Sequence, residues 1–179
     1  SNIVLKNPTG KDVLLEEKWN DKTVLLKVLP RLGCCLCRHE VLMLKRLQPI
    51  LDEKKIHLVA VAFEDIDLTD FLNGYWDWDI LLDVERKVYH AAGLVKLSDK
   101  ELNKQMNSKF VKKVDDYVMD VLNVKDSGSG DIKQLGGMFI IKPDKSIIYE
   151  FKPNKLALFP CIKEICQVIG ADENDIEDD

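Results

Sequence analysis

Apolar positions along this chain follow two rhythms. Continuous apolar runs at Thr23 to Leu29, His57 to Phe63 and Met138 to Ile141 read as buried strands, the second as a central parallel one. Elsewhere apolar residues recur every three or four positions: Val41, Leu44, Leu47 and Leu51; then Met106, Phe110, Val114, Tyr117, Val118 and Val121; then Leu158, Ile162, Ile165 and Ile169. That spacing predicts three helices, each turning one face to a core. Pro49 falls late in the first and should kink or shorten it. Asp12 to Trp19 reads as a first strand, Asp79 to Asp83 as a short one, and Glu85 to Ala92 as a helix closed by Gly93. Ser98-Asp99-Lys100-Glu101 is a capping box, so a helical insertion is expected over about 98–125. Pro143-Asp144-Lys145 turns the chain into a hairpin whose second arm is Ile147 to Phe151.

Strands alternating with helices, then a hairpin and a last helix, predict an α/β sandwich: a central mixed sheet flanked by helices. One domain is expected over residues 1–170, with an acidic, disordered tail at 171–179. Composition narrows the partners. With 46% apolar residues, a full core needs no disulfide staples. A net charge of -5 argues against nucleic acid or an anionic membrane surface. No apolar run approaches the roughly 20 residues that span a bilayer. Five cysteines without a regular framework point to a reducing, cytoplasmic setting.

Candidate chemistry sits where the first buried strand ends, in Val28-Leu29-Pro30-Arg31-Leu32-Gly33-Cys34-Cys35-Leu36-Cys37-Arg38. Pro30 and Gly33 mark a tight exit, and a helix follows. Cys34 and Cys37 are thus placed at a helix N-terminus, where unpaired N–H groups favour a thiolate. One helical turn apart, the pair can close a disulfide. Zinc would need about four ligands, and no second pair with finger spacing exists, so no metal is expected. Cys35 is expected to be an inert packed thiol, and Cys161 and Cys166 core residues of the last helix. His39, Arg31 and Arg38 bracket the pair; each could tune a thiol, but solvated side chains are the plainer expectation. Trp76 and Trp78 could roof a hydrophobic groove, with simple packing the plainer reading. No nucleotide-binding fingerprint is present. No bound cofactor is therefore expected, and electrons should come from an external thiol reductant.

The element order, with the dithiol after the second strand, is that of a thioredoxin fold. Three stretches sharpen this: Arg31-Leu32-Gly33-Cys34-Cys35-Leu36-Cys37-Arg38, Leu81-Leu82-Asp83-Val84-Glu85-Arg86-Lys87-Val88-Tyr89, and Gly130-Asp131-Ile132-Lys133-Gln134-Leu135-Gly136-Gly137. Together they resemble the peroxiredoxin-like 2 branch of the AhpC/TSA thioredoxin-like proteins, which includes prostamide/prostaglandin F synthase and selenoprotein U relatives. The resemblance implies a thioredoxin-like sandwich decorated by an N-terminal strand and the helical insertion. It also implies thiol redox chemistry on Cys34 and Cys37, acting on peroxides or, in one branch, prostaglandin-type endoperoxides. Recycling would fall to a thioredoxin-type reductant, ultimately fed by NADPH. Two departures stand out. Spacing from Pro30 puts Cys37 where true peroxiredoxins carry their reactive cysteine, whereas the thioredoxin pattern makes Cys34 the nucleophile. Gly136-Gly137 stand where true peroxiredoxins place an Arg that polarises the peroxide, so the pair is expected to admit substrate to the backbone instead. With the cis-proline of thioredoxins also missing, a second reading is a non-catalytic thioredoxin-like interaction module.

Overall fold

The structure is a computed structural model that describes residues 2–172. Among them, β1 (Val4–Lys6), β2 (Asp12–Leu14), β3 (Val24–Val28), β4 (His57–Ala62), β5 (Asp79–Leu82), β6 (Gly137–Ile141) and β7 (Ile147–Phe151) form one sheet. Its order is β2-β1-β5-β4-β3-β6-β7. The middle strands β3, β4 and β5 are parallel, and the strands outside them run antiparallel. Side chains alternate across the pleat. Leu25, Leu58, Ala60, Met138 and Ile140 therefore feed one core, and Val24, Leu26, Val59, Val61 and Phe139 the other. Both faces of the central strands are buried, which is why they read as unbroken apolar runs.

The helices are α1 (Cys35–Arg46), α2 (Gln48–Glu53), α3 (Leu68–Gly74), α4 (Lys87–Ala91), α5 (Asp99–Met106), α6 (Lys109–Asp116) and α7 (Ile162–Ile169). The break expected near Pro49 falls at Leu47. Pro49 then sits in the first turn of α2, where its missing N–H costs nothing. The buried Val41 and Leu44 of α1, with Leu47 and Leu51 beyond it, close the first core.

Three expectations are corrected. The N-terminal strand is shorter than Asp12 to Trp19 and has a partner. It pairs with β1 over Asp12–Leu14 and then tightens into a 3₁₀ turn at Leu15–Trp19, which buries Leu15. β1 was invisible in the sequence because three residues carry no readable period. The insertion is not one helix. Ser98 and Glu101 form the expected capping box, but α5 stops at Asn107 and Ser108 caps a new helix by accepting the Val111 N–H. A π-helical turn, Tyr117–Val121, follows. The break resets the helical phase and splits the apparent stripe. Val111 and Val118 are buried, whereas Met106, Phe110, Tyr117 and Val121 are exposed. The last helix begins only at Ile162, with Leu158 before it and Cys161 exposed at its N-cap; only Cys166 joins the core. Of the expected tail, residues 173–179 lie outside the described residues.

Candidate active site

β3 is prolonged past its last ladder residue by the Leu29 N–H, which donates to Val61 O at 2.8 Å. Pro30 to Gly33 then turn the chain, anchored by the fully buried Leu32. Gly33 lies against the loop after the π-helical turn, because a Cβ there would run into Ser127 and Asp67. The Ser127 N–H donates to Gly33 O at 2.9 Å, fastening the two segments. Cys34 follows as the N-cap of α1, and its Sγ accepts the Cys37 N–H at 3.4 Å. It occupies the place usually taken by a Ser or Asp oxygen, which satisfies an orphan helix donor and favours negative charge.

The two sulfurs meet, and their surroundings differ. Cys34 is half-buried; Cys37 is 5% exposed. Hydrogen bonding from the Cys37 side chain pulls the Cys34 thiol below its ordinary range against burial, with the Cys37 N–H and the Arg31 charge acting in the same direction. Burial, then the hydrogen bond and charge of Cys34, push Cys37 up, with Glu40 adding to this and Lys27 opposing it. Cys34 and Cys37 are not joined by a disulfide, so the pair is in its dithiol form.

Arg31 is not the solvated charge expected. Its side chain is 10% exposed and is held by Ser129 O at 2.6 Å and by both Asp126 carboxylate oxygens at 3.1 Å. Asp126 also accepts the N–H of Cys35 at 3.0 Å and that of Gly128 at 2.6 Å. These bonds and Arg31 hold its carboxyl below the usual range despite burial. One loop carboxylate thus caps α1 and aims a guanidinium at Cys34. Arg38 is likewise buried, bonded to Leu32 O, Lys125 O and Asp70 and lying over the Tyr75 ring, so it serves the scaffold. Cys35 is packed as expected: it is buried, and its thiol is pushed up to about 12 by burial, with Cys34, Asp126 and Asp115 adding to it. His39 is half-buried with its ring edge-on to Phe159, and burial lowers its pKa.

A cavity of about 120 Å³ opens beside the pair. Cys34, Cys37 and Arg31 stand on one side, and Met106, Val111, Ile132, Leu135, Leu156 and Phe159 supply apolar walls. Trp76 and Trp78 are not among its walls. Trp76 is buried in the core beside Phe71, its indole N–H donates to Asp79 O, and Trp78 packs edge-on to it. Gly136 lines the cavity, but its missing Cβ is required by the fold: the atom would fall on Val28 O and 2.7 Å from Pro30 Cδ.

Sequence reasoning missed Asp126, which carries no local signal, and one buried pair. Lys27 and Glu40 form an ion pair at 2.5 Å on the same cavity wall, with side chains 2% and 7% exposed. The available signal was a single lysine inside the apolar run from Val24 to Leu29.

The sequence pattern of one family, described as AhpC/TSA antioxidant enzyme, matches residues 43–155, which begins just downstream of the dithiol. The prostamide/prostaglandin F synthase of Xenopus tropicalis is 28% identical over 177 residues, covering 96% of this chain and 87% of that protein. In fold, the chain is similar to a cysteine-to-serine mutant of peroxiredoxin 6 from Arenicola marina, with a TM-score of 0.66 and 15% identity over 95% of this chain and 69% of the other. A yeast mitochondrial 1-Cys peroxiredoxin, whose thiol-resolving mechanism runs via glutathione/thioredoxin systems, matches with a TM-score of 0.62 and 18% identity, covering 95% and 72% of the two chains.

Proposed function

The chain belongs to the AhpC/TSA antioxidant enzyme family, a kinship that makes it a thiol-dependent oxidoreductase, and we propose that its working dithiol is Cys34 and Cys37. The observation that carries the reading is the N-cap position of Cys34. Partly buried on the cavity wall, its sulfur accepts an N–H from the helix it starts. Cys34, the sulfur whose thiolate is favoured, is the nucleophile, and the buried Cys37 resolves. This follows the thioredoxin pattern rather than the spacing of true peroxiredoxins.

With a hydroperoxide, the Cys34 thiolate attacks the nearer oxygen and the O–O bond breaks. The distal oxygen leaves with the bonding pair and takes up a proton, leaving a sulfenic acid on Cys34. Cys37 condenses with it, releases water and closes the disulfide. With an endoperoxide both oxygens stay on the substrate, which leaves as the diol. In either case two electrons pass from the dithiol, and an external thioredoxin-type dithiol restores them. A reducing compartment such as the cytoplasm suits that cycle. Arg31 takes the part left vacant by Gly136-Gly137: its guanidinium on the cavity wall stabilises charge on the departing oxygen. This removes one motive for the non-catalytic reading. The apolar walls favour a lipophilic peroxide over hydrogen peroxide, and the relative's name is consistent with an endoperoxide.

The test is mass spectrometry of the 32–38 segment after stoichiometric alkyl hydroperoxide. The expected product is an internal Cys34–Cys37 bond. C34S should form none, and C37S should stop at the sulfenic acid. Free thiols in the native chain after peroxide is consumed would refute the assignment.

A further inference from the structure

Lys27 is the next-to-last residue of β3 and is buried on the face that feeds the first core. Its neighbours across the sheet are Ala60 and Met138, and Leu25 and Leu29 flank it on the same face. Glu40 reaches it from α1, one turn beyond Cys37 and on the same helical face. Desolvating two charges in such a core costs several kcal/mol per ion, and an apolar pair of similar volume commonly serves stability as well or better. The fold alone gives no reason for the pair. Its position does: both side chains stand on the cavity wall with Cys37, and both charges act on the Cys37 thiol.

We propose that Glu40 is the proton acceptor for Cys37 during disulfide closure, and that Lys27 is the positioning residue that holds the Glu40 carboxylate on the cavity wall and then compensates the new thiolate. The inference rests on the dithiol reading above. Before the step, Lys27 and Glu40 stand as an ion pair and Cys37 is a thiol. The Cys37 proton moves to Glu40, and the negative charge moves from the carboxylate to the sulfur. Lys27 stays beside both, so no unpaired charge is created in the low-dielectric interior. The Cys37 thiolate attacks the Cys34 sulfenic acid, the S–S bond forms and the S–O bond breaks. The hydroxide leaves as water with the proton held by Glu40, which is then ionised again. The oxidant is the peroxide that made the sulfenic acid. Such a route is needed because Cys37, buried and raised, is a poor nucleophile until its proton is taken. Charged and titratable groups facing it are Cys34 and Glu40 from its own segment and Lys27 from β3. Arg31, Asp115, Asp126, Asp131 and Lys155 line the same cavity.

The experiment separates the two chemical steps in the full chain. Stoichiometric alkyl hydroperoxide is added, and the reaction is quenched over time with a sulfenic-acid probe and a thiol alkylator. E40Q is expected to form the sulfenic acid but to close the disulfide on the order of 10²-fold more slowly at pH 7. The deficit should shrink as pH rises and solvent hydroxide takes the proton; E40D should recover part of the rate. If the single variants fail to fold, K27M/E40L restores an apolar core and should fold, yet close as slowly as expected for E40Q. Closure in E40Q, or in the double variant, at the native rate and with the native pH profile would overturn the proposal. If the native chain forms no Cys34–Cys37 bond at all, the dithiol reading falls and takes this one with it.

Discussion

Cys34 and Cys35 are adjacent, yet their thiols are driven in opposite directions. Cys34 gains donors that favour its anion, while Cys35 is buried among carboxylates that oppose ionisation. Iodoacetamide at pH 7 to 8 should therefore modify Cys34 and leave Cys35 untouched until the chain unfolds, as peptide mapping would show. Arg31→Gln removes a charge that lowers the Cys34 pKa. The midpoint of its alkylation-rate profile should move upward, with slower labelling at neutral pH. Cys35 also has a thermodynamic signature. An unfolded thiol ionises near ~8.5, whereas the folded one holds its proton to about 12. The unfolded state binds fewer protons across that window, so this residue's contribution to stability is full below it and falls as pH rises through it. Urea midpoints at pH 8 and pH 10 should diverge in the native chain and diverge less in C35A.

Among the elements, the N-terminus of α1 depends most on a distant partner. Its Cys35 N–H is capped by Asp126, from a loop more than ninety residues away in sequence, and the same carboxylate binds Gly128 N–H and Arg31. Asp126→Ala should cost about 1–2 kcal/mol in urea unfolding, the usual worth of a helix cap. It should also make Ser127-Gly128 more sensitive to limited proteolysis. Just before β6, Gly136→Ala would press a methyl group on Val28 O and Pro30, at the end of β3 and its exit. Backbone there cannot move without displacing the dithiol turn. Denaturation should show a loss of about 2 kcal/mol or more, within the range of overpacked sites.

At the scale of the molecule, the cavity is assembled from segments far apart in the chain: the β3 exit, the insertion, the loop before β6 and the strand-to-helix link before α7. The insertion helps to build that space, since Met106 and Val111 are among its walls. If the walls select lipophilic peroxides, Ile132→Asp should reduce kcat/KM for a long-chain alkyl hydroperoxide roughly tenfold, on the scale of one mismatched apolar group. The loss for hydrogen peroxide should be smaller, because that substrate has no chain to bury. Equal losses for both would refute selection by the apolar walls.

The sequence by itself determined the central strands, the hairpin, the break near Pro49 and the strand–turn–helix setting of Cys34 and Cys37. Each follows from local periodicity, a turn residue or a capping motif, and such signals need no knowledge of distant neighbours. It could not determine what those elements bring together. Burial of Arg31 and Arg38, the capping of α1 by Asp126 and the Lys27–Glu40 pair all depend on residues joined only by folding. A lone charge in an apolar run reads as an exception until the opposing helix supplies its counter-ion. Cys161 and the Met106-to-Val121 stripe show the converse. Side-chain type suggested their places, but the late start of α7 and a reset in helical phase decided which face of the protein each would occupy.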